Sequence, residues 1–143
     1  MTDDDRARGR VLALDHGTVR IGVAVCNADR SIAVPLASVP AAHDAADRCA
    51  VIAKEESAVA VVVGLPLRLD GSPGDAAASA SGFADELRRS LGAAGIEVVL
   101  FDERLTTVTA SARLRDAGVP SRRARGRVDS AAAVVLLEAW LAR

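Results

Sequence analysis

Three acidic positions in this sequence stand where a fold could gather them for chemistry. Asp15 ends the apolar run Arg10–Asp15, Asp102 and Glu103 follow the run Ile96–Phe101, and Asp129 precedes an apolar helical stretch. A carboxylate at the end of an apolar strand needs a partner, because burying it ionised costs several kcal/mol. Here the candidate partners are other acids, which repel one another. A divalent cation removes the conflict: Mg²⁺ takes hard oxygen ligands and bridges carboxylates to phosphate. Two such ions roughly 3.5–4 Å apart can activate a water and stabilise a leaving oxygen. The chemistry to expect is metal-assisted phosphodiester hydrolysis, with Mg²⁺ or Mn²⁺ as the cofactor. Each acid also has a plainer role. Asp15 can serve as a turn residue beside Gly17 and Thr18. Asp102 or Glu103 can pair with Arg104, and strand alternation sends those two acids to opposite faces. Asp129 suits a helix N-cap.

The cations fit a polyanion. Net charge is only −1, yet the segment from Arg104 to Arg127 holds seven Arg against one acid, Asp116. Such a local basic segment suits a nucleic-acid backbone, and equally a solvated helix face and loop. Arg forks onto phosphate oxygens in bidentate fashion. Arg68, Arg104, Arg122, Arg123, Arg125 and Arg127 are therefore the candidate phosphate contacts. Seventeen of the eighteen basic residues are Arg, a bias that GC-rich coding also produces. His16 adjoins Asp15 and can serve proton transfer or simply the turn. Trp140 falls on the apolar side of the last helix with Leu136 and Leu137, as a core or interface residue. Aromatic content of 2% argues against single-strand binding by stacking platforms.

The elements that must position these residues follow from periodicity. Arg10–Asp15 and Ile21–Cys26 are short apolar strands joined by a tight turn, hence a hairpin. Ser31–Val39 is a third strand, with Pro35 directing it to an edge. Asp44–Glu56 carries Ala46, Cys49, Ala50 and Ala53 on one helical face. Ala58–Val63 is a β-branched run that suits a buried parallel strand. Gly64–Gly74 is a loop by its Gly and Pro content, and a helix runs from Asp75 to Leu91. After the strand Ile96–Phe101 come a helix over Thr107–Ala117, a basic loop over Ser121–Val128, and a helix capped by Asp129 that runs through Trp140. A meander followed by helical crossovers gives a mixed five-stranded α/β sheet flanked by helices. The RNase H-like fold has this order, and other mixed α/β folds share the pattern.

At 143 residues, half of them apolar, the chain suits one globular domain. Residues 1–9 read as a flexible tail and 10–143 as the domain. The start of the chain has no apolar signal-peptide core, and no apolar run is long enough to span a bilayer. Cys26 and Cys49 lack metal-ligand spacing and are expected as reduced thiols.

Four blocks in order resemble one family. They are Leu14-Asp15-His16-Gly17-Thr18-Val19-Arg20-Ile21-Gly22-Val23-Ala24; Val63-Gly64-Leu65-Pro66 with Asp70-Gly71-Ser72 and Gly74; Asp102-Glu103-Arg104-Leu105-Thr106-Thr107; and Gly126 with Asp129, Ala131-Ala132 and Leu136-Leu137. Together they resemble the YqgF/RuvX family of pre-16S ribosomal RNA nucleases and Holliday-junction-resolvase-like proteins. The resemblance implies an RNase H-like fold, a cytoplasmic bacterial protein, and trimming of the 5′ end of precursor 16S rRNA in ribosome biogenesis. It implies that Asp15, Glu103 and Asp129 form the acidic, metal-holding site, choosing Glu103 over Asp102. His16 departs from the smaller or apolar residue common in the family. The partners implied are precursor 16S rRNA, with ribosomal particles as context. Resolution of branched DNA by the same site is the alternative, and it would call for a homodimer. A non-catalytic rRNA-binding assembly factor is a further alternative. Asp15-x-Gly17-Thr18 also resembles the phosphate loop of actin-like ATPases, which need two such domains where this chain has room for one.

Overall fold

The computed structural model describes residues 9–104 and 130–143. Its first three strands form a meander: β1 (Arg10–His16), β2 (Arg20–Cys26) and β3 (Ala33–Pro40). Helix α1 (Ala45–Glu55) leads to β4 (Ala58–Leu65), and α2 (Asp75–Leu91) leads to β5 (Glu97–Asp102). Helix α3 (Ala131–Leu141) closes the chain. The sheet order is β3-β2-β1-β4-β5. β1 and β2, and β2 and β3, pair antiparallel, whereas β4 runs parallel to both β1 and β5.

This is the mixed five-stranded sheet that the sequence pattern predicts, with β3 and its Pro35 on an edge. One boundary differs in a way that matters. β4 continues through Gly64 and Leu65, which pair with Phe101 and Asp102 of β5. The sequence reading ends this strand at Val63 and assigns Gly64 to a loop. Pairing with β5 overrides the low strand propensity of glycine here. The predicted tail falls, except for Gly9, outside the described residues. The predicted helix Thr107–Ala117 and basic loop Ser121–Val128 also lie outside them.

Alternation along the strands divides the core in two. Leu12, Leu14, Ile21, Val23, Val61 and Val63 face α1 and α2, where Cys49, Ala80, Phe83 and Leu87 pack on them. Val11, Ala13, Ala24 and Val62 face the other way, against Leu136, Leu137 and Trp140 of α3. The helical face predicted for α1 is the buried one. Both cysteines are free and buried, one in each layer. Burial pushes the Cys49 thiol up to about 12, so it stays protonated and unreactive.

The start of α3 is fixed by one side chain. Opposite Gly22, β3 carries two residues, Ala37 and Ser38, so the β2–β3 register shifts there. The Ser130 hydroxyl enters this bulge: it accepts from Val23 N at 2.9 Å and donates to Leu36 O at 2.7 Å. Ser130 is fully buried and occupies the cap position of α3, one residue after the Asp129 expected there. No described helix is long and apolar enough to cross a membrane.

Candidate active site

Strand alternation decides which acids meet. Asp15 follows Val11 and Ala13 onto the α3 side of β1, at the end of the strand, and pairs across to Gly22. His16, one residue on, turns to the opposite face and stacks on Phe83 of α2 with ring centroids 4.8 Å apart. The turn after it is tight: Gly17 N donates to Arg20 O at 3.0 Å, and a Cβ on Gly17 would come within 2.5 Å of that oxygen.

Across the sheet, β5 ends at Asp102, but the chain keeps alongside β4 for one more residue. Glu103 N donates to Leu65 O at 3.3 Å. Phe101 packs on the α3 side, and Glu103 follows it there. Its carboxyl lies over Gly64, where a Cβ would collide with Glu103 Oε2 and come within 3.2 Å of Leu136 Cδ2. The glycine therefore leaves a hollow that the carboxyl fills.

In that hollow Glu103 meets Asp15. Burial, the nearby Asp15 charge and a hydrogen bond between the two carboxyl groups raise the Glu103 pKa to about 7. Two acids at the ends of separate strands thus share a half-buried space, and their crowding keeps Glu103 from full ionisation near neutral pH. Asp102 behaves oppositely. Arg104 NH2 lies 2.7 Å from Asp102 Oδ2, and Arg104 N and Nε also donate to this carboxylate. These bonds hold Asp102 below the usual carboxylate range. Of the adjacent pair, Glu103 meets Asp15 and Asp102 pairs with Arg104.

The donor set fits a divalent cation. Two carboxylates supply hard oxygens, and the Gly64 hollow provides space that a side chain would fill. Among the described residues no group of three metal-ligating side chains converges. Asp129, the third acid expected, lies outside them, as do Arg122, Arg123, Arg125 and Arg127. Arg68 is exposed in the β4–α2 loop, and a Cβ on Gly74 would lie 2.9 Å from its Nε. Arg104 reaches the same loop, where NH1 would lie 3.2 Å from a Cβ on Gly71. Asp70 in this loop accepts from both Ser72 N and Ser72 Oγ, which lowers its pKa.

Two positions escaped the sequence reading of chemistry. Gly64 makes room for the second carboxylate, and Ser130 ties the start of α3 to β2 beside Gly22. Gly64 stood in a block that resembles the family but with no role attached, and Ser130 carried no signal; the Glu103 contact over Gly64 and the Ser130 hydroxyl bonds reveal them. Gly64→Ala is expected to push the Glu103 carboxyl aside with little loss of fold, since the atoms it strikes are side-chain tips. Mg²⁺ affinity, read by calorimetry, should fall at least ~10-fold, comparable with loss of a supporting group around a metal. Unchanged affinity would mean that Glu103 does not depend on the hollow.

Residues 9–143 match the RuvX Holliday junction resolvase family. The chain belongs to that family. As a RuvX family member it is placed among nucleases, hydrolases of phosphodiester bonds. A Rhodococcus erythropolis protein named "Putative pre-16S rRNA nuclease" is 47% identical over 144 residues, spanning 96% of this chain and 80% of its own length. A Mycobacteroides abscessus protein of the same name is 47% identical, spanning 96% and 84%. An Anaeromyxobacter relative of that name is 46% identical, spanning 92% and 96%. Among solved structures, Thermus thermophilus RuvC in complex with a Holliday junction substrate superposes with a TM-score of 0.58 at 16% identity, covering 94% of this chain and 95% of RuvC. The yeast mitochondrial resolvase Ydc2 superposes with the same score at 8% identity, covering 94% and 78%. At those identities the likeness is one of fold, and it agrees with the RNase H-like fold expected for this RuvX chain.

Proposed function

We propose that this protein hydrolyses RNA, cutting precursor 16S rRNA during maturation of its 5′ end, in the cytoplasm and in the context of ribosomal particles. The observation that carries the reading is the meeting of Asp15 and Glu103 over Gly64, which brings two hard-oxygen donors into one half-buried space. The names of the relatives at 46–47% identity support the RNA substrate.

In this reading residues 10–143 act as one nuclease domain. Asp15, Glu103 and Asp129 would hold Mg²⁺ or Mn²⁺, which supplies Lewis-acid stabilisation of phosphoryl charge and an activated water. Asp15 at the end of β1 and Glu103 just after β5 supply two oxygen ligands from either side of β4, so their spacing is set by the sheet. Glu103 would hold the ion in its ionised form, its proton released to solvent. Arg68, Arg104 and the run from Arg122 to Arg127 bind the substrate backbone and orient it.

The test is a cleavage assay on a 5′-extended 16S rRNA precursor with Mg²⁺, Mn²⁺ or EDTA. Cutting should require metal. Asp15→Asn should lower the rate by more than the ~10–100-fold typical of losing an outer-shell partner. Binding of the RNA without cutting under any metal would leave the chain an assembly factor. A second reading has its own support, in the family description and the fold shared with RuvC. A four-way DNA junction assayed in parallel would be cut symmetrically by a homodimer if branched DNA is the substrate.

A further inference from the structure

The sheet end that carries Asp15 has a second concavity on its other face. A cleft of about 480 Å³ opens between the β1–β2 turn, the start of α1 and one side of α2. His16 and Thr18 line it from the turn, and Ser79, Gly82, Phe83 and Glu86 from α2. The α2 residues recur at helical spacing, so they form one wall. Most of the remaining lining is alanine and glycine, and a Cβ on Gly82 would meet nothing within 4 Å. Small side chains therefore leave the space open.

The chemistry of this lining selects its occupant. Among the described residues no Arg or Lys lines the cleft, and its described lining offers a phosphate no cation. His16, His43 and Glu86 all border it, yet no three metal-ligating groups converge among the described residues. What remains is the half-buried His16 ring, backed by the buried Phe83, with hydrogen-bonding groups at Thr18, Ser79 and Glu86. A planar heterocycle with donors on its edge matches that combination. A carboxylate such as Glu86 accepts from an exocyclic amine, as Glu and Asp do at cytosine. Low aromatic content rules out a stacking platform along a strand, whereas one base needs only one ring. Asp15 and His16 are adjacent residues on opposite faces, so this cleft lies one residue from the carboxylate pair.

We propose that this cleft binds one unpaired nucleobase of the substrate, next to the phosphate that is cut, and reads its edge through Ser79 and Glu86. The proposal rests on the hydrolase reading for its place beside the scissile bond, but base binding itself does not. It sets sequence preference at one nucleotide, separately from the backbone contacts of the arginines.

The first test is nuclear magnetic resonance of the full-length, metal-free protein titrated with adenosine, cytidine, guanosine or uridine. Amide shifts at Thr18, Ser79 and Gly82 should appear with one or two of the four. They should vanish in Gly82→Leu, which fills the cleft from an exposed helix position, and Glu86→Gln should change which nucleoside is preferred. Shifts that are absent, equal for all four or unaltered in both variants would overturn the proposal. In the second test, wild type and both variants cut an RNA pool randomised around the cleavage position. The wild-type preference at one nucleotide should flatten by on the order of tenfold or more in Gly82→Leu, the scale of one lost edge contact. An unaltered preference profile would overturn the proposal. Selective nucleoside binding without any RNA cutting would support the cleft and count against the hydrolase reading alone.

Discussion

Glu103→Gln should abolish cleavage and at the same time make the metal-free protein more heat-stable above neutral pH. Both effects come from the same crowding. The Glu103 carboxyl has its pKa raised from 4.5 to about 7 by burial and by Asp15. A group with a raised folded-state value binds its proton more tightly folded than unfolded. Its favourable contribution is complete below about pH 4.5 and disappears as pH rises through about 7. Metal-free wild type should therefore lose stability across that window, and Gln, which carries no charge, should not. Melting curves at pH 5 and pH 8 would check this: the variant's advantage should be a few degrees at pH 8 and smaller at pH 5. Mg²⁺ should raise the wild-type Tm at pH 8 more than that of Glu103→Gln, because the variant lacks one of the carboxylates that would hold the ion. Equal melting behaviour at both pH values would show that Glu103 is not held against Asp15 in solution.

The second large effect is on stability alone. Ser130→Ala removes the hydroxyl that joins Val23 N to Leu36 O inside the β2–β3 bulge. Val23 N would be left unpaired in a fully buried position and Leu36 O in a partly buried one. At about 1–3 kcal/mol for each buried group left without a partner, a loss of about 2–4 kcal/mol is expected. For a chain of this length that lowers Tm by roughly 5–15 °C, measurable by calorimetry. A Tm within a degree of wild type would show that the strands close the gap themselves.

The strands, the helices and the edge position of β3 were legible because apolar periodicity is strong from Arg10 to Leu91. Pro35 told the edge strand, and the buried face of α1 was visible in Ala46, Cys49, Ala50 and Ala53. The choice between Asp102 and Glu103 was not legible from pattern, and rested on family resemblance. It depends on how far the chain keeps to the edge of β4 after β5 ends, a single hydrogen bond from Glu103 N to Leu65 O. Gly64 was misassigned because glycine marks loops far more often than strands, and here its missing side chain is what the strand end requires. His16 looked like a neighbour of Asp15 that could share its chemistry. Strand alternation places it on the other side of the sheet, where burial lowers its pKa against the opposing influence of Asp15 and Glu86. Ser130 carried no signal, since its partners lie 107 and 94 residues away.

Those separations bear on how the molecule comes into being. The β2–β3 ladder contains a gap that Ser130, about a hundred residues further along the chain, fills, so the meander made first does not complete its own pairing. A contact spanning most of the chain carries a large loop-closure cost and forms late. On the ribosome, the N-terminal strands must wait for α3 to leave the exit tunnel before the bulge is sealed. Nascent chains truncated before Ser130 should therefore hold a loosened β2–β3 edge, which tightens once α3 is free to dock.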